Sequence, residues 1–166
     1  MLRLAVLALA LAPLLGGCGL KPLYAGGAGG PVAGTLARVE VAPVEGRAGW
    51  LMANALKDRL ARSDAPALYR VEIRLDDQLT ALGISRDDSV SRERRTLRAR
   101  YQLIDLAQGN VVVDATAGSD VSVDVVGSDY ATIAAEVTAQ ERLAGIVADE
   151  IVARLARYVR ATPTRP

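Results

Sequence analysis

The side chains able to do chemistry in this chain are few in kind. It holds eighteen Arg but only two Lys (Lys21 and Lys57), one Cys (Cys18), and no His. Without an imidazole, neither Ser-His-Asp nor Cys-His catalysis can be assembled. A zinc site would have at most one thiolate and no imidazole, and one Cys forms no intramolecular disulfide. Guanidinium groups, carboxylate pairs and hydroxyls remain. The Arg are clustered: Arg86, Arg92, Arg94, Arg95, Arg98 and Arg100 fall within fifteen residues, against Asp87, Asp88 and Glu93. The following stretch, 105–150, carries nine acids and one Arg, Arg142. The forked donors of Arg suit phosphate and carboxylate. The carboxylate pairs Asp76-Asp77 and Asp87-Asp88 are the candidates for cation binding or acid–base work, and tandem acids in turns are ordinarily just solvated. This inventory favours a binding or structural protein over an enzyme, with no catalytic residue, no metal site and no dissociable cofactor.

Cys18 sits at an informative place. Residues 1–17 hold one charge, Arg3, and an apolar run from Leu4 to Leu15 that is too short to span a bilayer. A charged start, a short apolar run and small residues at its end make a secretory signal. Leu15-Gly16-Gly17-Cys18 is similar to the bacterial lipobox. That resemblance implies cleavage before Cys18, diacylation of its thiol and acylation of its new amino group, palmitate-type chains included. Several acyl chains, at about 0.8 kcal/mol per buried CH₂, anchor stably. Residue 19 is Gly rather than the Asp that favours inner-membrane retention, which points to the inner leaflet of the outer membrane. The whole chain has net charge +1, and losing Arg3 leaves a neutral mature protein. Neutrality argues against nucleic acid as a partner.

The elements that must position the Arg follow from periodicity. Residues 18–35 are Gly-rich and read as a lipidated tether. Residues 36–44 alternate, with Val39 and Val41 against Arg38 and Glu40, and predict a strand stopped by Pro43. Met52, Ala55, Leu56, Arg59 and Leu60 share one helical face within 49–62. Residues 67–82 return to period two: Tyr69, Val71, Ile73 and Leu75 against Arg70, Glu72, Arg74 and Asp76. Residues 83–91 read as a turn or irregular extension. Residues 92–106 alternate again, with Leu97, Ala99, Tyr101 and Leu103 against Arg98, Arg100 and Gln102, and Arg92 and Arg94 continue the polar side. Gln108-Gly109-Asn110 turns the chain into a fourth strand, 111–125, with a bend near Gly118.

A long helix is predicted over 130–161, capped by Ser128 or Asp129. Its apolar stripe (Ile133, Val137, Ala144, Val147, Ile151, Leu155, Tyr158) is interrupted by Gln140-Glu141. Trp50, Tyr69, Tyr101 and Tyr130 read as core or interface anchors. The order is β-α-β-β-β-α over 36–161, with a tail at 162–166. Half-polar strands require one covered and one open sheet face. The expected fold is a two-layer α/β sandwich: a four-stranded mixed sheet with two helices on one face. If the strands pair, Arg70, Arg74, Arg92, Arg94, Arg98 and Arg100 share the open face. Two readings of that face stand: a site for phosphate-bearing ligands, or a solvated surface whose Arg pair with neighbouring acids.

A family resemblance covers nearly the whole chain after the signal. Cys18-Gly19-Leu20-Lys21-Pro22-Leu23-Tyr24 resembles the C-G-F-[RK]-P-L-Y start of mature LptE, the LPS-assembly lipoprotein family, in its alphaproteobacterial form. Asn54-Ala55-Leu56-Lys57-Asp58-Arg59-Leu60 resembles its N-x-L-x-[DE]-R-L helix. Arg94 with Leu97-Arg98-Ala99-Arg100-Tyr101-Gln102-Leu103-Ile104-Asp105 looks like its R-x-x-L-x-A-x-Y-x-L-x-D strand, and Ala148 to Leu155 resembles part of its last helix. Leu20 in place of Phe, and Trp50 where a polar residue is commoner, are departures. The resemblance implies a non-enzymatic partner of the outer-membrane LPS translocon that plugs the β-barrel LptD, helps it assemble and binds LPS. The open Arg face gains a candidate ligand thereby, since lipid A and the inner core carry phosphate or carboxylate. The different reading, an auxiliary lipoprotein of an ABC-type lipid transporter, has a similar small body and anchor.

Overall fold

A computed structural model of the chain describes residues 29–84 and 90–162. The elements are α1 (Pro31–Leu36), β1 (Val39–Val41), α2 (Gly46–Leu60), β2 (Tyr69–Ile84), β3 (Val90–Asp105), β4 (Val111–Asp124) and α3 (Asp129–Ala161). The sheet order is β1-β2-β3-β4. β1 runs parallel to β2, with Val39 opposite Tyr69, and the chain crosses over through α2. The two long hairpins that follow are antiparallel. The expected mixed sheet, with helices on one face and the other open, is therefore present.

Two boundaries differ from expectation. Pro31–Leu36, placed by composition in the tether and the start of the first strand, forms a short helix. Proline at its first turn supplies a preset φ, and Val32 and Leu36, one turn apart, bury against the core. The first strand is correspondingly shortened to Val39–Val41. At the hairpin between β2 and β3, strand structure reaches Ile84 and resumes at Val90, so less of 83–91 is irregular than expected. The signal, Cys18, Arg86, Asp87 and Asp88 lie outside the described residues.

The pleat sorts β2 and β3 as their alternation predicts. Tyr69, Val71 and Ile73 on β2, and Leu97, Ala99, Tyr101 and Leu103 on β3, are buried under the helices. α2 contributes Met52, Leu56 and Leu60; α3 contributes Leu143, Val147, Ile151 and Leu155. Tyr69 and Tyr158 meet edge to face, ring centroids 6.2 Å apart. Ser128 caps α3 by accepting from the Ala131 amide. The β3–β4 turn closes around Asp105, whose side chain accepts from the amides of Ala107 and Gln108, with Gly109 at φ 70°. At Gly118 β4 stays continuous. A Cβ there would lie 3.2 Å from the Arg98 side chain, so the glycine makes room for Arg98 across the strand.

Candidate functional site: the open sheet face

Register fixes the face. Arg70 lies opposite Ile104, Arg74 opposite Arg100, Asp76 opposite Arg98, and Leu82 opposite Arg92. On the other side of β3, Arg92 faces Asp124, Arg94 faces Ser122, Arg98 faces Gly118 and Arg100 faces Thr116. All six sequence-predicted Arg are thus brought onto one surface, but not in one chemical state. Arg92 donates to Asp124 at 2.9 Å, and Arg100 to Asp114 at 3.1 Å. Looser pairs join Arg70 to Glu40 at 3.5 Å and Arg94 to Asp120 at 3.6 Å. The Asp114 carboxyl is held below its ordinary range by hydrogen bonds from Arg100 and Gln102.

Arg74 and Arg98 form no ion pair with any described residue. Arg74 helps wall a hollow of 190 Å³ on this face together with Glu72, Arg100 and Gln102. The two readings of the face therefore divide it. Four of the six guanidiniums form an ion pair with an acid of an adjoining strand; Arg74 and Arg98 do not, although Asp76 lies opposite Arg98 in the ladder. The arrangement can hold an anion by charge and forked hydrogen bonds. It offers no nucleophile with a base beside it.

The carboxylate pair singled out by the sequence is split by the pleat. Asp76 points to the open side and accepts from Gln78. Asp77 points under α3, where Arg95 donates to it at 2.9 and 2.8 Å and Gln140 at 2.7 Å. Burial pushes the Asp77 carboxyl up; the bonds from Arg95 and Gln140 and the Arg95 charge outweigh this and leave it low. The trio is a largely buried clamp between sheet and helix, Gln140 buried and Asp77 and Arg95 part-buried, and periodicity did not single it out. A signal was there: 77 and 95 are charged odd positions next to the apolar odd runs 69–75 and 97–103, and Gln140 interrupts the stripe of the long helix.

Of the four aromatic anchors, Tyr69 and Tyr101 are buried, whereas Trp50 is 64% and Tyr130 83% exposed. Ile133, expected in the helix stripe, is also exposed. Among the described residues no helix is long and apolar enough to cross a membrane, and no three His, Cys, Asp or Glu are grouped to hold a metal ion.

The family model for LptE, lipopolysaccharide-assembly, matches residues 36–155, which is the folded body from β1 through most of α3. The chain belongs to the LptE family. Among solved structures, a protein from Caulobacter crescentus CB15 described as a lipoprotein is 30% identical, with TM-score 0.68 over 81% of this chain and 100% of that one. Rare lipoprotein B from Shewanella oneidensis shares the fold at 9% identity, with TM-score 0.58 over 74% of this chain and 95% of that one. A minor lipoprotein from Acinetobacter baumannii does so at 15% identity, with TM-score 0.54 over 77% and 94%. No curated protein matches the sequence. This LptE-family chain is thus similar to lipoproteins along its whole folded body. Cys18, the expected lipid-attachment residue, precedes the matched region.

Proposed function

We propose that this protein is a lipid-anchored LptE that seats in the LPS-translocon barrel LptD at the outer membrane, helps that barrel assemble and contacts LPS anions through its open sheet face. It takes no catalytic part. The family match over the folded body carries the reading, because it ties this architecture to lipopolysaccharide assembly. The unpaired guanidiniums of Arg74 and Arg98 supply the chemistry on the ligand side. They would meet the phosphate or carboxylate groups of lipid A and inner core, which a solvated, fully paired face would not. Cys18 acylation holds the body at the inner leaflet, facing the periplasm and barrel lumen.

Depletion of the protein tests the role. The expected result is loss of LPS from the cell surface with phospholipid distribution changed only secondarily. Normal surface LPS alongside altered phospholipid trafficking would assign the protein to an ABC-type lipid transporter instead.

A further inference from the structure

β4 is fourteen residues long and ends the sheet. Natural edges of that length are normally protected by Pro, charged side chains or a bulge; the charges of β4, Asp114, Asp120 and Asp124, are taken up by Arg100, Arg94 and Arg92 of β3. The β4 sequence, VVVDATAGSDVSVD, has neither Pro nor Lys, and its one register irregularity lies near its start, opposite Leu103 and Ile104. The Gly118 N–H turns away from β3 and is met only by a carboxylate oxygen of Glu150, at 3.4 Å. In an antiparallel pair, residues either exchange both backbone bonds or neither. Thr116, Asp120 and Ser122 therefore also aim N–H and C=O outward, along with Gly118.

The helix above leaves room beside this edge. Two grooves, of 450 and 490 Å³, run between β4 and α3. One is walled by Arg154 and Arg157 beside Val112 and Asp114; the other by Val121, Val123, Ala135 and Ala139. Neither Arg154 nor Arg157 makes an ion pair among the described residues. The first groove thus carries two cations against one acid; the second is mostly lined by small apolar side chains, with Asp124 and Arg142 among them, as side-chain pockets for an added strand would be.

We propose that the free edge of β4 is a strand-addition site for an extended segment of another polypeptide. That segment presents acidic side chains to Arg154 and Arg157, and small apolar ones to Val121 and Val123. Its carbonyl would replace Glu150 at the Gly118 N–H. The charge pattern favours a different chain over a second copy. Two-fold pairing centred on Gly118 would set Arg154 and Arg157 of one copy against Arg142 of the other, where the one acid, Asp124, already pairs with Arg92.

The test uses the full lipidated chain in detergent and a peptide of about ten residues, the length the edge accommodates at its strand spacing. Thr occupies alternate positions, Glu the other positions at one end, and Val and Ala those at the other; the reversed sequence covers the opposite strand direction. One of the two peptides is expected to slow amide exchange at Thr116, Asp120 and Ser122 in the unaltered protein. Ser122→Pro, which removes an outward N–H that β3 does not use, is expected to weaken binding about ten-fold or more. Arg154→Glu with Arg157→Glu is expected to weaken it as well, and selectively for the Glu-bearing peptide over a Gln-bearing one. Unchanged exchange at the three amides with both peptides would overturn the proposal, whatever the variants do. So would protection of the same amides without peptide in a concentration-dependent dimer, which would give the edge to a second copy.

Discussion

Arg95 and Arg98 stand three residues apart on β3, and the pleat sends them to opposite faces with opposite duties. Arg95 is locked under α3 by Asp77, both side chains being about one-sixth exposed (16% and 17%). Removing one partner from such a pair strands a charge, whereas replacing both with apolar groups of similar size is often neutral. Asp77→Ala is expected to cost about 2–4 kcal/mol. Asp77→Leu combined with Arg95→Met should recover most of that, as urea unfolding would read. The folded-state Asp77 carboxyl lies below its ordinary value. Its contribution is therefore complete above that value and is lost as pH falls through the folded one. Between about pH 5 and pH 3 the parent should lose stability faster than Asp77→Asn. Arg98, by contrast, faces solvent and forms no ion pair among the described residues, although Asp76 lies opposite it. Arg74→Gln with Arg98→Gln is expected to weaken LPS binding about ten-fold or more, from the loss of charge-assisted bonds. Arg92→Gln, whose guanidinium already serves Asp124, should change it far less. A binding titration with folded variants reads both. Which Arg share the open face was legible from period two alone. Which of them are spoken for was not, because pairing partners come from β1 and β4, at distances in sequence that alternation does not encode.

At the scale of elements, the strongly periodic segments were read with boundaries close to those observed, since burial and alternation agree along β2 and β3. α1 was not, because a Gly-rich composition suggests a tether and only the Val32/Leu36 spacing hints at a turn of helix. The stripe of α3 was read too far toward its N-terminus. Ile133 lies in the first turns of α3, where it is exposed, and Gln140 is drawn inward by Asp77. The entry into α2 depends on close backbone approach. A Cβ on Gly49 would lie 2.5 Å from the Val44 carbonyl oxygen, backbone that cannot swing aside. Gly49→Ala is expected to destabilise the protein by about 1–3 kcal/mol despite its better helix propensity. Gly34→Ala, with open space around it, serves as the control in the same thermal or urea melt.

The whole molecule is nearly neutral, with net charge +1 for the full chain, and the neutrality conceals order. Arg gathers on β3, and acids of β4 neutralise part of it across the ladder. Among the described residues, Arg74 and Arg98 on the open face form no ion pair, and Arg154 and Arg157 wall a groove beside the β4 edge. The missing His and the single Cys suit the proposed role of a body that binds and positions, with Cys18 as its proposed tether. The fold class and the LptE resemblance were legible in the sequence because motif order and strand periodicity extend along most of the chain. The proposed seat in a barrel follows from the resemblance alone, because an interface between two chains leaves no periodicity of its own. Affinity purification of the full lipidated protein from native membranes tests the central claim most directly. The account predicts recovery of an LptD-like outer-membrane β-barrel in near one-to-one amount; recovery of the protein with no such barrel would contradict it.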